Sequence, residues 1–411
     1  MINRASTIPE WWLMNGPWEN WIPGVLNKNQ MLQLCDVGFI IREGSRLPDG
    51  NLGKSSLDLT LSEVMYEMTR GSVKPSGSTQ SYGFFIEHEN LGAKQPEPAD
   101  GVFTLEKRHT YVFKLSESLN PGMAGVGIFG QATAKSSVGR VDVLARLIVS
   151  GMDTYEGFNP SGLAKSTGDM YLEVTPITFR VKVKVGTSLS QLRLFYGDPR
   201  NAEVSGDELF KTVFKGIAKS DGSLSVDLDN EMISAVQAAA FCHDSSEKSD
   251  EPIPLWDDNP EKPEPWKFWK LKKADSQKRL TIQSENFYIL RSREEISVPP
   301  GIAIYCRAND ETIGEMRIHY AGFVHPLFGW QRKDGRPGTP LIFEVRGHQV
   351  EVTLANDEKM ANLTFYRMSQ DCEDSAKGKY EVQTLKLSDF FGKWPDKLRT
   401  GSEDGTVEPE Q

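Results

Sequence analysis

The run KSSVGRVD, Lys135–Asp142, places two hydroxyls, Ser136 and Ser137, between two cations, Lys135 and Arg140. Hydroxyls, cations and backbone N–H groups within one short span are what a phosphate chain requires. Taken alone the signal is weak, because basic turns with serines are common on solvated surfaces. Glu173 in YLEV is sharper: a carboxylate bracketed by apolar residues is disfavoured in a core unless it is paired or working. Arg140 and Arg146 are the candidate partners, and either could set the pKa of Glu173 and aim it as a general base. Asp153 and the Gln191/Arg193 pair complete the set to be weighed.

Several other chemistries are excluded. The sequence has no GxxxxGK[ST], HExxH or GxSxG, and its six histidines show no metal-ligand spacing. A zinc-dependent nucleobase deaminase needs HxE followed by PCxxC, and neither occurs. The cysteines, Cys35, Cys242, Cys306 and Cys372, stand far apart, which fits a reducing cytoplasm better than a disulfide framework.

The elements that must hold these residues read as β-rich. The 411 residues include 36 glycines and 23 prolines, suiting many turns between short strands. Ser55–Leu61, Thr110–Leu115, Val141–Val149 and Phe179–Val185 read as strands, with one helix near Asn29–Val37. Phe287–Leu290, Gly301–Cys306, Leu341–Arg346 and Val350–Leu354 form a second group. Between the groups, His243–Pro265 carries eight acids, two lysines and five prolines, the composition of a linker or surface arm. The N-terminus bears Trp11, Trp12, Trp18 and Trp21, expected to dock on the chain's own domain, and lacks the pattern of a secretory leader. The tail after about Gly401 is acidic and expected to be disordered. No apolar run is long enough for a membrane helix. With 47 Lys+Arg against 57 Asp+Glu, the net charge of −10 argues against nucleic acid as a partner. The expected layout is an aromatic extension (1–23), a first β domain (24–200), a linker and acidic arm (201–265), a second β domain (266–372) and a C-terminal segment (373–411).

The two β-rich stretches look like one unit used twice. MYLEVTPITFRVKVKVGTSLSQLRLFY parallels LIFEVRGHQVEVTLANDEKMANLTFY: in each a Glu closes an apolar strand (Glu173, Glu344) and an amide (Gln191, Asn362) opens a later one. KSSVGR aligns with DETIGE, Asp310–Glu315, only at its apolar and glycine positions. An anion would therefore be held by the first copy and repelled by the second.

With these residues in view, KSSVGRVDVLARLI followed by YLEVTPITFRVKVKVGTSLSQLRL resembles the first repeat of the two-repeat bacterial deoxycytidine triphosphate (dCTP) deaminases, relatives of trimeric dUTPases. ENFYILRSREEISVPPGIAIYC, GEMRIHYAGFVHPLFGW and LIFEVRGHQVEV are similar to the second repeat, so the resemblance runs from about Gly24 to Leu387. It implies a mainly β fold of two tandem dUTPase-like β-barrel or jelly-roll-like repeats with few short helices. It further implies deamination of dCTP to dUTP and ammonia without catalytic zinc, with Glu173 as base and proton shuttle and with Ser136 and Arg140 positioning the water and the carboxylate. Lys135 and Ser137 would contact the triphosphate with its Mg²⁺; Arg146, Asp153 and Gln191 would complete the substrate pocket. YEVQTLKLSDFF, Tyr380–Phe391, resembles the family's lid, giving Tyr380, Gln383 and Lys386 as substrate contacts. The resemblance also implies dTTP as an inhibitor and trimer-like homo-oligomers with active sites between subunits. Two departures stand out: Thr154–Gly168 is inserted after Asp153, and the second copy reads His325-Pro326-Leu327 where the family has Asp-Pro-Gly. One active site per chain, built on the first repeat, is expected. A dUTPase-like pyrophosphatase using Asp153, and a non-catalytic nucleotide-binding protein, are the alternatives.

Overall fold

The computed structural model describes residues 16–42, 47–215, 221–234, 236–246, 251–308, 316–319, 322–373, 381–395, 398–400 and 407–409. Alternation builds the strands: in Val181–Lys184 both valines are buried while Lys182 and Lys184 lie half-buried. The expected helix is Lys28–Asp36, started by Asn27, whose side chain accepts from Gln30 N at 3.0 Å while Gln30 Oε1 accepts from Asn27 N.

The internal repeat is visible in the strand order. In the first copy Val143–Val149, Asp169–Pro176, Tyr111–Leu119, Leu57–Met68, Ser188–Tyr196, Ile128–Ala134 and Gly157–Phe158 are hydrogen-bonded in that sequence. In the second, Met316–His319, Thr339–Gly347, Phe287–Ile296, Ser223–Asp227, Lys359–Arg367, Ile302–Ala308 and Gly322–Val324 repeat it. Side-chain devices recur with it. Glu117 accepts from Thr60 N and Oγ1 at 2.8 and 2.7 Å, and Glu294 accepts from Ser225 N and Oγ at the same two distances. The fold is thus mainly β, with barrel-like sheets and few helices.

The boundaries differ from those expected. Glu203–Val204, Ser223–Asp227 and Ala240–His243 belong to the second sheet, so most of 201–243 is body, not linker. The acidic arm is also structural. Its Ile253 and Leu255 are buried, and Ile253–Pro254 pairs in parallel with Val181–Lys182 of the first repeat. Composition hid this because one apolar pair among acids is enough to add a short strand. Trp18 and Trp21 are buried as expected, Trp18 stacked on Phe39 and Trp21 edge-on to Tyr196; Trp11 and Trp12 lie outside the described residues. Of the tail, Val407–Pro409 pairs with Leu398–Thr400, and 401–406 lie outside the described residues.

The repeats are fused side by side. Arg193, fully buried, donates to Ile304 O at 2.9 Å and lies 4.0 Å from the centroid of the Phe323 ring. Buried Asp142, the last residue of KSSVGRVD, accepts from Arg346 Nε at 3.0 Å. Phe179 of the first repeat packs among Phe268, Trp269 and Phe391, drawing the C-terminal segment into the shared core.

Candidate active site

The strand Ile128–Ala134 runs into Lys135, which is extended and caps a single helical turn, Ser136–Gly139; its carbonyl accepts from Val138 N at 2.9 Å and Gly139 N at 3.0 Å. This turn divides KSSVGR between two cavities. Lys135 and Ser137 line a cavity of about 320 Å³ with Asp58, Lys184, Trp256 and Phe390. Ser136 and Arg140 line a narrower one, about 70 Å³, walled by Phe323, Val324, Phe328, Leu341 and Ile342 of the second repeat.

Glu344 also lines the narrower cavity. Its Oε1 stands 4.0 Å from Arg140 Nε, and both side chains are buried. Arg140 Nη2 donates to Gln383 Oε1 at 2.9 Å and Nη1 to Lys386 O at 3.1 Å, while Gln383 Nε2 donates to Pro340 O at 3.0 Å. The C-terminal segment therefore straps over the seam and touches both repeats. Burial pushes the Glu344 carboxyl up to about 8, opposed by the Arg140 charge. Cys306, another lining residue, is pushed up to about 12 by burial and by Glu344.

The expected grouping of Glu173 with Ser136 and Arg140 is not the one formed. Glu173 is buried and does not line that cavity; it accepts from Arg146 Nε at 3.0 Å and Tyr155 Oη at 3.1 Å. Register explains the pairing: Glu173 lies directly opposite Arg146 on adjacent antiparallel strands. Arg146 also donates to Ser72 Oγ at 2.9 Å and covers the Tyr155 ring at 4.2 Å. Tyr155 comes from the inserted Thr154–Gly168 segment, so the insertion closes over Glu173. The insertion ends at Gly168, φ +75°, where a Cβ would lie 1.7 Å from Leu119 O and only glycine fits.

The other expected residues scatter. Lys135 Nζ pairs with Asp58 at 2.5 Å. Ser137 is buried and its carbonyl accepts from Ser388 Oγ at 2.7 Å. Gln191 is buried, accepting from Ser56 Oγ at 3.3 Å beside the turn. Asp153 is exposed next to Gly77 and lines neither cavity. Lys386 contributes its carbonyl to Arg140, while its ammonium pairs with Asp389 at 2.7 Å. Tyr380 lies outside the described residues, as does DETIGE.

The sequence reading gave no site role to Phe323, His325 or Lys54. His325 Nδ1 is 3.0 Å from Ser55 Oγ; burial and the charges of Arg193, Lys54 and Lys135 hold its imidazole down to about 3, hence neutral. The signal for Glu344 was present in its equivalence to Glu173; what was missing was that the two copies face each other.

Comparison with known proteins covers both halves. Residues 22–198 match the family model for the 2'-deoxycytidine 5'-triphosphate deaminase N-terminal domain, and residues 213–391 the model for its C-terminal domain. Among 26 matching solved chains is the crystal structure of 2'-deoxycytidine 5'-triphosphate deaminase from Agrobacterium tumefaciens. It is similar at 26% identity with a TM-score of 0.73, over 85% of this chain and 96% of that one. Comparison with curated proteins finds no match. One family accounts for both repeats and for the strap that crosses them, through Phe391: the chain belongs to the 2'-deoxycytidine 5'-triphosphate deaminase family.

Proposed function

We propose that this chain converts dCTP and water to dUTP and ammonia, and that Glu344, rather than Glu173, is the general base. The apposition of Glu344 and Arg140 in a small, apolar-walled chamber carries this reading. A carboxylate there takes a proton from water as the oxygen adds to C4 of cytosine and delivers it to N3, then carries the hydroxyl proton of the tetrahedral intermediate to the amine, which leaves as ammonia as the C4 carbonyl forms. Arg140 keeps the carboxylate ionisable despite burial, and Gln383 and the Lys386 carbonyl hold Arg140 in place. Ser136, at the mouth of the same chamber, positions the water. Lys135 and Ser137 take the triphosphate, which arrives with its Mg²⁺. Arg140 and Glu344 come from one chain.

Incubation with dCTP and chromatography of the products tests the reading. Equimolar dUTP and ammonia are expected, and Glu344→Gln should reduce turnover by about 10²–10⁴-fold. A fully active Glu344→Gln protein would overturn the assignment of the base, and pyrophosphate release from dUTP without deamination would overturn the reaction.

A further inference from the structure

Lys54 precedes the strand Leu57–Met68 and is only 9% exposed, yet among the described residues its ammonium is paired outside its own repeat. It pairs at 2.5 Å with Glu381 Oε1 of the C-terminal strap. The segment it begins touches the KSSVGR turn at one point, Asp58 pairing with Lys135, while Ser55 meets His325 and Ser56 meets Gln191. Lys54, Lys135 and Arg193 all press on the same neutral imidazole of His325. Arg193 is answered by a backbone carbonyl and an aromatic face, Lys135 by Asp58, and Lys54 by Glu381. The one of these counter-charges carried by the strap is Glu381.

We propose that Lys54 is a further phosphate-binding residue of the substrate site and that the Glu381 carboxylate occupies its ammonium until a polyphosphate displaces it. This rests on the reading of the substrate as a nucleoside triphosphate. The anchoring of the strap makes such an exchange local. The backbone carbonyl of Glu381 accepts from Thr339 Oγ1 at 2.6 Å, and Gln383 is held by Arg140 and Pro340. The side chain of Glu381 can therefore rotate away while its backbone stays fixed. A terminal phosphate group carries more charge and more acceptor oxygens than a carboxylate, so a nearly buried ammonium favours it. Glu381 thus acts as a competitor for the substrate's phosphates, sparing Lys54 an unpaired buried charge when the site is empty.

Calorimetric titration of the full-length protein with inorganic tripolyphosphate, alongside dCTP turnover, tests the proposal. Glu381→Gln is expected to tighten tripolyphosphate binding severalfold, and Lys54→Met to weaken it about tenfold or more. The double variant should match Lys54→Met, because Glu381 acts only through Lys54. A purely architectural ion pair predicts the reverse for Glu381→Gln, weaker binding through a loosened strap. That outcome, or unchanged binding, overturns the proposal, and Glu381→Gln alone suffices to decide it should Lys54→Met not fold. The two readings fail separately: tripolyphosphate effects of the expected signs without dCTP turnover would sink the deaminase and keep the exchange. Turnover with no change in polyphosphate binding would do the opposite.

Discussion

Arg140 of the first repeat and Glu344 of the second meet within one chain, guanidinium Nε 4.0 Å from carboxylate Oε1, with Gln383 of the C-terminal strap bonded to the same guanidinium. Three distant parts of the sequence thus supply one chamber. Glu173, the equivalent of Glu344, sits instead under Tyr155 and against Arg146. Equivalent positions in the two copies have taken different partners.

The division of the site between repeats has a direct test by mixing. Arg140→Ala and Glu344→Gln proteins are each expected to be inactive, and combining them should restore no turnover, because every chain then carries one defect in its own chamber. Recovery toward a quarter or a half of wild-type activity on mixing would show that the pair forms between chains.

The role proposed for Glu344 also sets a pH dependence. As a base it must be ionised, and burial pushes it up to about 8. The acid limb of kcat/KM should therefore rise with pH and level off above about 8. For stability the sign is opposite. A carboxyl raised in the folded state from its ordinary 4.5 contributes stability that is fully present below about pH 4.5 and is lost as pH climbs through about 8. Denaturation at pH 5 and pH 8 should show a smaller drop for Glu344→Gln than for the wild type.

Glu173→Gln should separate from Glu344→Gln in the readout it affects. Losing the charged acceptor of Arg146 and Tyr155 should cost about 1–3 kcal/mol in urea unfolding, while dCTP turnover per folded molecule persists. Loss of turnover with unaltered stability would return the general base to Glu173.

The acidic arm makes a stability prediction that a linker would not. Ile253 is fully buried where it pairs with Val181, so Ile253→Ala should destabilise the protein by about 2–4 kcal/mol. A solvated linker would show a change near zero in the same urea midpoint.

Local pattern made much of this legible. The alternation of Val181 and Val183, the helix near Asn29–Val37 and the recurrence of Glu173 as Glu344 are local patterns, and each reappears in the fold. The partner of Arg140 was not legible, because two carboxylates in equivalent frames satisfy the same local rule and only the packing of one repeat on the other selects between them. The same holds for Ile253: its burial depends on a strand edge supplied by residues far away in the chain, while its immediate neighbours are acids and prolines. Lys54 was hidden for a third reason, since a lysine before a strand reads as solvated until a distant carboxylate is placed on it.

The strap has a consequence for how the enzyme comes into being. Chains emerge from the ribosome N-terminus first, so the KSSVGR turn is made well before Glu344, and Gln383 and Ser388 follow later still. A nascent or prematurely terminated chain would hold the cations that attract a nucleotide but neither the carboxylate nor the segment that closes the chamber. On the roles proposed for Arg140, Glu344 and Gln383, catalytic competence is thereby tied to completed translation.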